Sequence, residues 1–121
     1  MRFMMYTMGD DSKGLPPPSP ELMAEMGAFM EEATKAGALL ATGAFAPSAK
    51  AIKVELAGGA IRVMDGPFAE AKELIGGWAL MNAASKEEAI EWTTRFLKIA
   101  GEGESTIRQV FGPEDFGPSD Q

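Results

Sequence analysis

The sequence predicts an α+β domain built around one antiparallel sheet, and three observations carry that prediction. Two amphipathic helical stretches each lie between β-like segments, so a strand–helix–strand pattern occurs twice. A Gly58-Gly59 pair joins two alternating runs in the middle of the chain, which is an antiparallel hairpin signal. A length of 121 residues with 45% hydrophobic content suits one domain with one core.

Residues 2–8 read as the first strand, apolar or aromatic at most positions. Gly9-Asp10-Asp11-Ser12-Lys13-Gly14 and Pro16-Pro17-Pro18 form a polar, stiff loop. Ser19 followed by Pro20 starts a helix, with serine as N-cap and proline in the first helical position. Leu22, Met26, Phe29, Met30 and Ala33 recur at helical spacing and make one apolar face, and Gly37 stops the helix. Residues 38–45 form the second strand.

Residues 52–56 alternate, with Ile52, Val54 and Leu56 on one face and Lys53 and Glu55 on the other. Across the Gly58-Gly59 turn, pairing Ala57 with Ala60 sets Leu56 opposite Ile61 and Val54 opposite Val63. The same register sets Glu55 opposite Arg62, an opposite-charge pair on the polar side. Residues 74–81 form a further strand, in which Gly76-Gly77 marks a bulge or a close backbone approach. Ser85 and Glu88 make a capping box for a second helix, whose buried face is Ala89, Trp92, Thr93, Phe96, Leu97 and Ala100. Gly101 and Gly103 end it, residues 106–111 form the last strand, and an extended, mobile end rich in Pro, Gly and acids begins at about Gly112.

Two strand–helix–strand halves on a central antiparallel sheet make the ferredoxin-like plan, with both helices on one face. The first, second and last strands are apolar on both sides, for example Phe3 and Met5 against Met4 and Tyr6. A sheet with two apolar faces needs two covers. The helices supply one, and a second copy of the chain is the expected other, giving a homodimer through the sheet face.

Composition removes several function classes. The net charge of −7, with 11 scattered basic residues, argues against nucleic acid. No apolar run approaches the ~20 residues of a membrane span. There is no cysteine, hence no disulfide framework or thiolate chemistry, and no histidine, the commonest general base and transition-metal ligand. No cofactor or metal is expected, and no Ser-His-Asp arrangement or phosphate loop is present. With no cysteine and no signal-peptide pattern, the cytoplasm is the expected compartment.

Asp65-Gly66-Pro67-Phe68, followed by Ala-Glu-Ala-Lys-Glu and then Gly76-Gly77-Trp78, resembles the YCII-related family in its DGPF-domain branch. The resemblance runs from the first strand to Phe111. It implies a dimeric α+β barrel architecture. Some relatives carry a His-Asp pair; of that pair only the aspartate has a counterpart here, Asp65.

The residues themselves give Asp65 two roles. In the hairpin register it shares the face of Ile61 and Val63, so its carboxylate would point toward apolar surroundings and could shuttle a proton. Before Gly-Pro it also suits a turn, accepting the amides of Phe68 or Ala69, or a cap. Tyr6, Phe68, Trp78 and Arg2 are the candidate ligand-binding residues. Tyr6 could line a pocket or pack as core with its tip at an edge, and Trp78 could stack on a ligand or over glycine backbone. Arg2, with Arg108, is placed on the outer strands and would hold an anion or make edge or interface ion pairs. Two functions follow. One is a small dimeric protein binding an organic ligand in an apolar cleft near Asp65. The other is a cofactor-free isomerase or lyase acting on a small organic acid or lactone, with Asp65 as acid or base.

Overall fold

The computed structural model describes residues 1–9, 19–46, 50–66, 74–101 and 103–116. In chain order these form β1 (Arg2–Gly9), α1 (Pro20–Lys35), β2 (Leu39–Ala44), β3 (Ile52–Ala57), β4 (Ala60–Asp65), β5 (Leu74–Asn82), α2 (Lys86–Ala100) and β6 (Ser105–Val110). Both helices begin as the sequence requires. Ser19 Oγ accepts from the Leu22 amide at 3.1 Å, and Ser85 Oγ accepts from the Glu88 amide at 3.2 Å. The return bond of the second cap reaches one residue further than the usual box, because Glu88 Oε2 accepts from the Ala84 amide at 3.4 Å. Gly37, at φ 77°, takes the left-handed turn that ends α1.

Four strands make an open sheet in the order β2-β5-β1-β6, every pair antiparallel. With one crossing helix in each half, this is the ferredoxin-like plan, and the four strands of a single chain do not close into a barrel. The expectation that Arg2 lies on an outer strand is corrected: β1 is central, flanked by β5 and β6. The reason is long-range: the two strand–helix–strand crossovers place β5 and β6 on either side of β1, so Arg2 sits on an interior strand.

The register assigns each side chain to a face. Phe3, Met5, Ala79 and Met81 are buried on the helix side, together with Ala83 and Ala89, and Leu39, Trp92, Phe96 and Ile107 pack against them. Burying each of the larger of these contributes about 1.5–3 kcal/mol. On the opposite side Met4 lies beside Leu80 and Tyr6 beside Trp78, all half-buried. The Gly76-Gly77 irregularity appears as a β-bulge: Tyr6 faces Trp78 and Met8 faces Ile75, so Thr7 stands against both glycines. The Gly77 amide, displaced from the ladder, donates to Thr7 Oγ1 at 3.0 Å. Trp78 packs over a glycine of the neighbouring strand, Gly43, where an added Cβ would come within 2.9 Å of the indole.

The hairpin pairs in the expected register throughout, from Ala57 opposite Ala60 to Ile52 opposite Asp65, with Arg62 Nη1 3.3 Å from Glu55 Oε1. It forms a separate two-stranded ribbon and does not join the main sheet. Ile52, Val54, Leu56, Ile61 and Val63 are therefore exposed, at 62–69%. After β6, where the sequence suggests an extended end, Pro113–Phe116 make a 3₁₀ turn, with Phe116 edge-on to Phe111 at 6.0 Å.

Candidate ligand cleft between helices and sheet

The helix-facing side of the sheet is floored by small side chains. Ala79 on β5 lies between Met5 of β1 and Thr42 of β2. Ala33 and Ala38 are also small and buried. Above this floor α1 and α2 present large, half-buried groups, including Phe29, Trp92 and Phe96. Small residues below and stiff rings above leave space between them. The result is a cleft of about 100 Å³ at the β2 side of the sheet. Consistent with that gap, no large side chain among the described residues is fully buried.

Among the described residues, the side chains lining it are apolar apart from Thr42 and the indole N–H of Trp92. The Thr42 hydroxyl donates to the Trp78 carbonyl at 2.8 Å, which leaves the oxygen's lone pairs as an acceptor directed by that bond. Met26 and Met30 on α1 are flexible thioethers that can adjust the cleft to different shapes.

A polar clamp joins the two helices beside the cleft. Arg95 of α2 donates two hydrogen bonds to Glu32 of α1, at 2.7 and 2.8 Å. The guanidinium lies 5.2 Å from the Phe29 ring centre and 5.0 Å from that of Trp92, and the two rings meet at 5.9 Å. The bonds from Arg95 hold the Glu32 carboxyl below its ordinary range, and the same bonds raise the Arg95 guanidinium. Reading the sequence did not single out this cluster. The available signal was spacing: Glu32 follows Phe29, and Arg95 follows Trp92, by three residues on each helix.

Of the residues the sequence nominated, Tyr6, Trp78, Arg2 and Asp65 lie elsewhere, and none of these four lines this cleft. Tyr6 and Trp78 are brought together as direct cross-strand neighbours, but on the sheet face away from the helices. Arg2 shares that face at the far end of β1, roughly 13 Å along the strand. Its Nη2 lies 3.6 Å from Glu114 Oε1, an ion pair at the strand end. Asp65 ends β4 on the separate ribbon, opposite Ile52. It is on the ribbon's apolar side as expected, yet exposed, because the ribbon stands apart from the sheet and nothing described covers that side. Among the described residues its carboxylate has no hydrogen-bond partner, while the Gly66 amide donates to the Ala51 carbonyl at 2.7 Å. Phe68 and the amides expected to receive the Asp65 carboxylate lie outside the described residues. Among the described residues no group of three acids is placed to hold a metal, and no helix is long and apolar enough to cross a membrane.

The model of the YCII-related domain matches residues 1–111. The chain belongs to the YCII-related family. It is 34% identical over 71 residues to an uncharacterised protein of Rhizobium meliloti (strain 1021), a match covering 59% of this chain and 57% of that protein. The match thus spans little more than half the length of this curated relative. Among solved structures it is similar to the 5-chloro-2-hydroxyhydroquinone dehydrochlorinase of Burkholderia phenoliruptrix, in complex with 2,5-dihydroxybenzoquinone. That similarity has 14% identity and a TM-score of 0.46, over 95% of this chain and 98% of the other. It is too slight to carry chemistry from one chain to the other.

Proposed function

We propose that this YCII-related chain is a dimeric binding protein that takes one small, uncharged apolar or aromatic molecule in the cleft between helices and sheet. The observation that carries this reading is an unfilled apolar space whose lining offers a single hydroxyl, Thr42. A ring or short aliphatic chain would replace missing contacts with Met5, Phe29 and Trp92. A carboxylate would lose its hydration there with no cation among the described lining residues to compensate, a cost of several kcal/mol. The ligand class is therefore narrower than the small organic ligand expected from sequence, and it leaves out the organic acids considered there as substrates of an enzyme.

The face bearing Met4, Tyr6, Trp78 and Leu80 supports the dimer, since it carries half-buried apolar groups and, among the described residues, no helix lies over it. A second copy placed there would cover both sheets at once. Light scattering at micromolar concentration should give about twice the 12.8 kDa chain mass, and a persistent monomer would overturn this part.

The chain's two tryptophans provide the test of the cleft, because Trp92 lines it and Trp78 does not. In a Trp78→Phe variant, toluene or indane should change the remaining emission and raise the melting temperature, and benzoate should do neither. A response confined to the Trp92→Phe variant would move the ligand to the Tyr6–Trp78 face and sink the cleft reading. The enzymatic alternative, Asp65 as acid or base in an isomerase or lyase, is supported by a carboxylate uncommitted among the described residues. That alternative requires turnover of an organic acid or lactone that Asp65→Asn abolishes; turnover unchanged in that variant would count against it.

A further inference from the structure

The β3–β4 ribbon has one side with no cover. Its five aliphatic side chains are each more than 60% exposed, while the reverse side carries the Glu55–Arg62 pair. A two-stranded ribbon is marginal in water without packing on something, and a contiguous exposed aliphatic surface marks a contact site.

Three properties identify the occupant as a second copy of this chain. The first is area. At on the order of 100 Å² of apolar surface per aliphatic side chain, five at about two-thirds exposure present roughly 300 Å². A stable dimer buries about 800 Å² on each partner, and the helix-free sheet face, with Met4, Tyr6, Trp78, Leu80 and Val110, can supply the balance. The second is reach. A six-residue strand extends about 20 Å, close to the roughly 19 Å width of a four-stranded sheet. The third is charge. Asp65 ends the ribbon's aliphatic side, and Arg108 lies beside Met4 on the helix-free face. Among the described residues neither has an ion-pair partner.

We propose that β3–β4 is a dimerisation arm, laid with its aliphatic side on the helix-free sheet face of a second copy so that Asp65 meets Arg108 of the partner subunit. The motif aspartate then serves as a specificity contact between copies. This rests on the dimer reading above and adds the arm to it.

Because the chain has no cysteine, the geometry can be probed without background. Asp65→Cys and Arg108→Cys proteins, prepared separately, mixed and treated with a short bismaleimide that spans the length of the replaced arginine side chain, should give a cross-linked heterodimer in preference to either homodimer, because an Asp–Arg pair sits too far apart for a direct disulfide. A Val54→Lys/Val63→Glu variant places opposite charges at a paired, exposed site, which keeps the ribbon paired. By sedimentation equilibrium it should weaken the dimer about 100-fold, with unchanged circular dichroism. Asp65→Arg and Arg108→Asp should each weaken it about tenfold, and the double exchange should restore it. A monomeric wild type would overturn the dimer and the arm together. A wild-type dimer broken by Leu80→Glu, but indifferent to the ribbon variant and with no heterodimer formed on cross-linking the mixed cysteine variants, would keep the sheet-face dimer and overturn the arm.

Discussion

Replacing Ala79 with leucine tests the cleft by the sign of its effect. Ala79 is buried in the floor, between Met5 and Thr42 on the flanking strands. A void of about 100 Å³, at about 24 cal/mol per Å³, costs about 2.4 kcal/mol when empty. Leucine adds three carbon atoms, and at about 0.8 kcal/mol for each buried methylene the gain is again about 2.4 kcal/mol. The cleft opens to solvent at its edge, so a net gain of about 1–2 kcal/mol is the expected outcome. For a domain of this size that is a rise of about 4–8 °C in melting temperature. Thermal melts followed by circular dichroism, with urea unfolding as a second measure, would read it. The same variant should lose its response to toluene. Had the floor and helices been tightly packed, the extra carbons would force strain and destabilise by about 1–3 kcal/mol. A fall in stability with the ligand response intact would refute the cleft as a binding space.

Other outcomes follow from single contacts. Glu32 has a lowered folded-state pKa because Arg95 donates to it, so its contribution is complete above its ordinary value of 4.5 and is lost as the pH falls through the folded value. Melting curves of wild type and Glu32→Gln should accordingly differ at pH 7 and converge in acid; a gap that widens below pH 4 would contradict the clamp. Gly43→Ala would drive a Cβ to 2.9 Å from the Trp78 indole, with a cost of about 1–3 kcal/mol and an altered Trp78 emission. Wild-type stability in that variant would mean the indole does not rest on Gly43.

How far the sequence reached depended on the range of each interaction. The β3–β4 register was legible because a two-residue turn leaves one register in which Glu55 meets Arg62 and the aliphatic residues share a side. The caps at Ser19 and Ser85 were legible because they act over three residues. The bulge at Gly76-Gly77 was legible in kind, although its partner, Thr7, comes from the far end of the chain. The detachment of the ribbon was not, since its alternation is the same whether or not a sheet lies beneath it. Nor was the cleft, which depends on how Ala33, Ala79 and Trp92, set by three different elements, happen to leave space. The Glu32–Arg95 clamp joins helices 63 positions apart, beyond any periodicity. Asp65 illustrates the limit: its side of the ribbon was read from the register, but its exposure required knowing what the ribbon packs on.

The strand order also governs how the molecule assembles in time. β1 is central, yet both of its neighbours, β5 and β6, lie late in the chain. The ribbon needs only its own residues and can close within about 1–10 μs of leaving the ribosome. β1 must wait for β6, roughly 100 residues and about 5–20 s of synthesis later. Until β5 emerges, Phe3, Met4, Met5 and Tyr6 form a nascent strand with both edges unpaired, and the edge that takes β6 stays open for the whole interval. Folding of this domain is thus gated by its last strand, and its apolar first strand is the segment most in need of chaperone cover until that strand arrives.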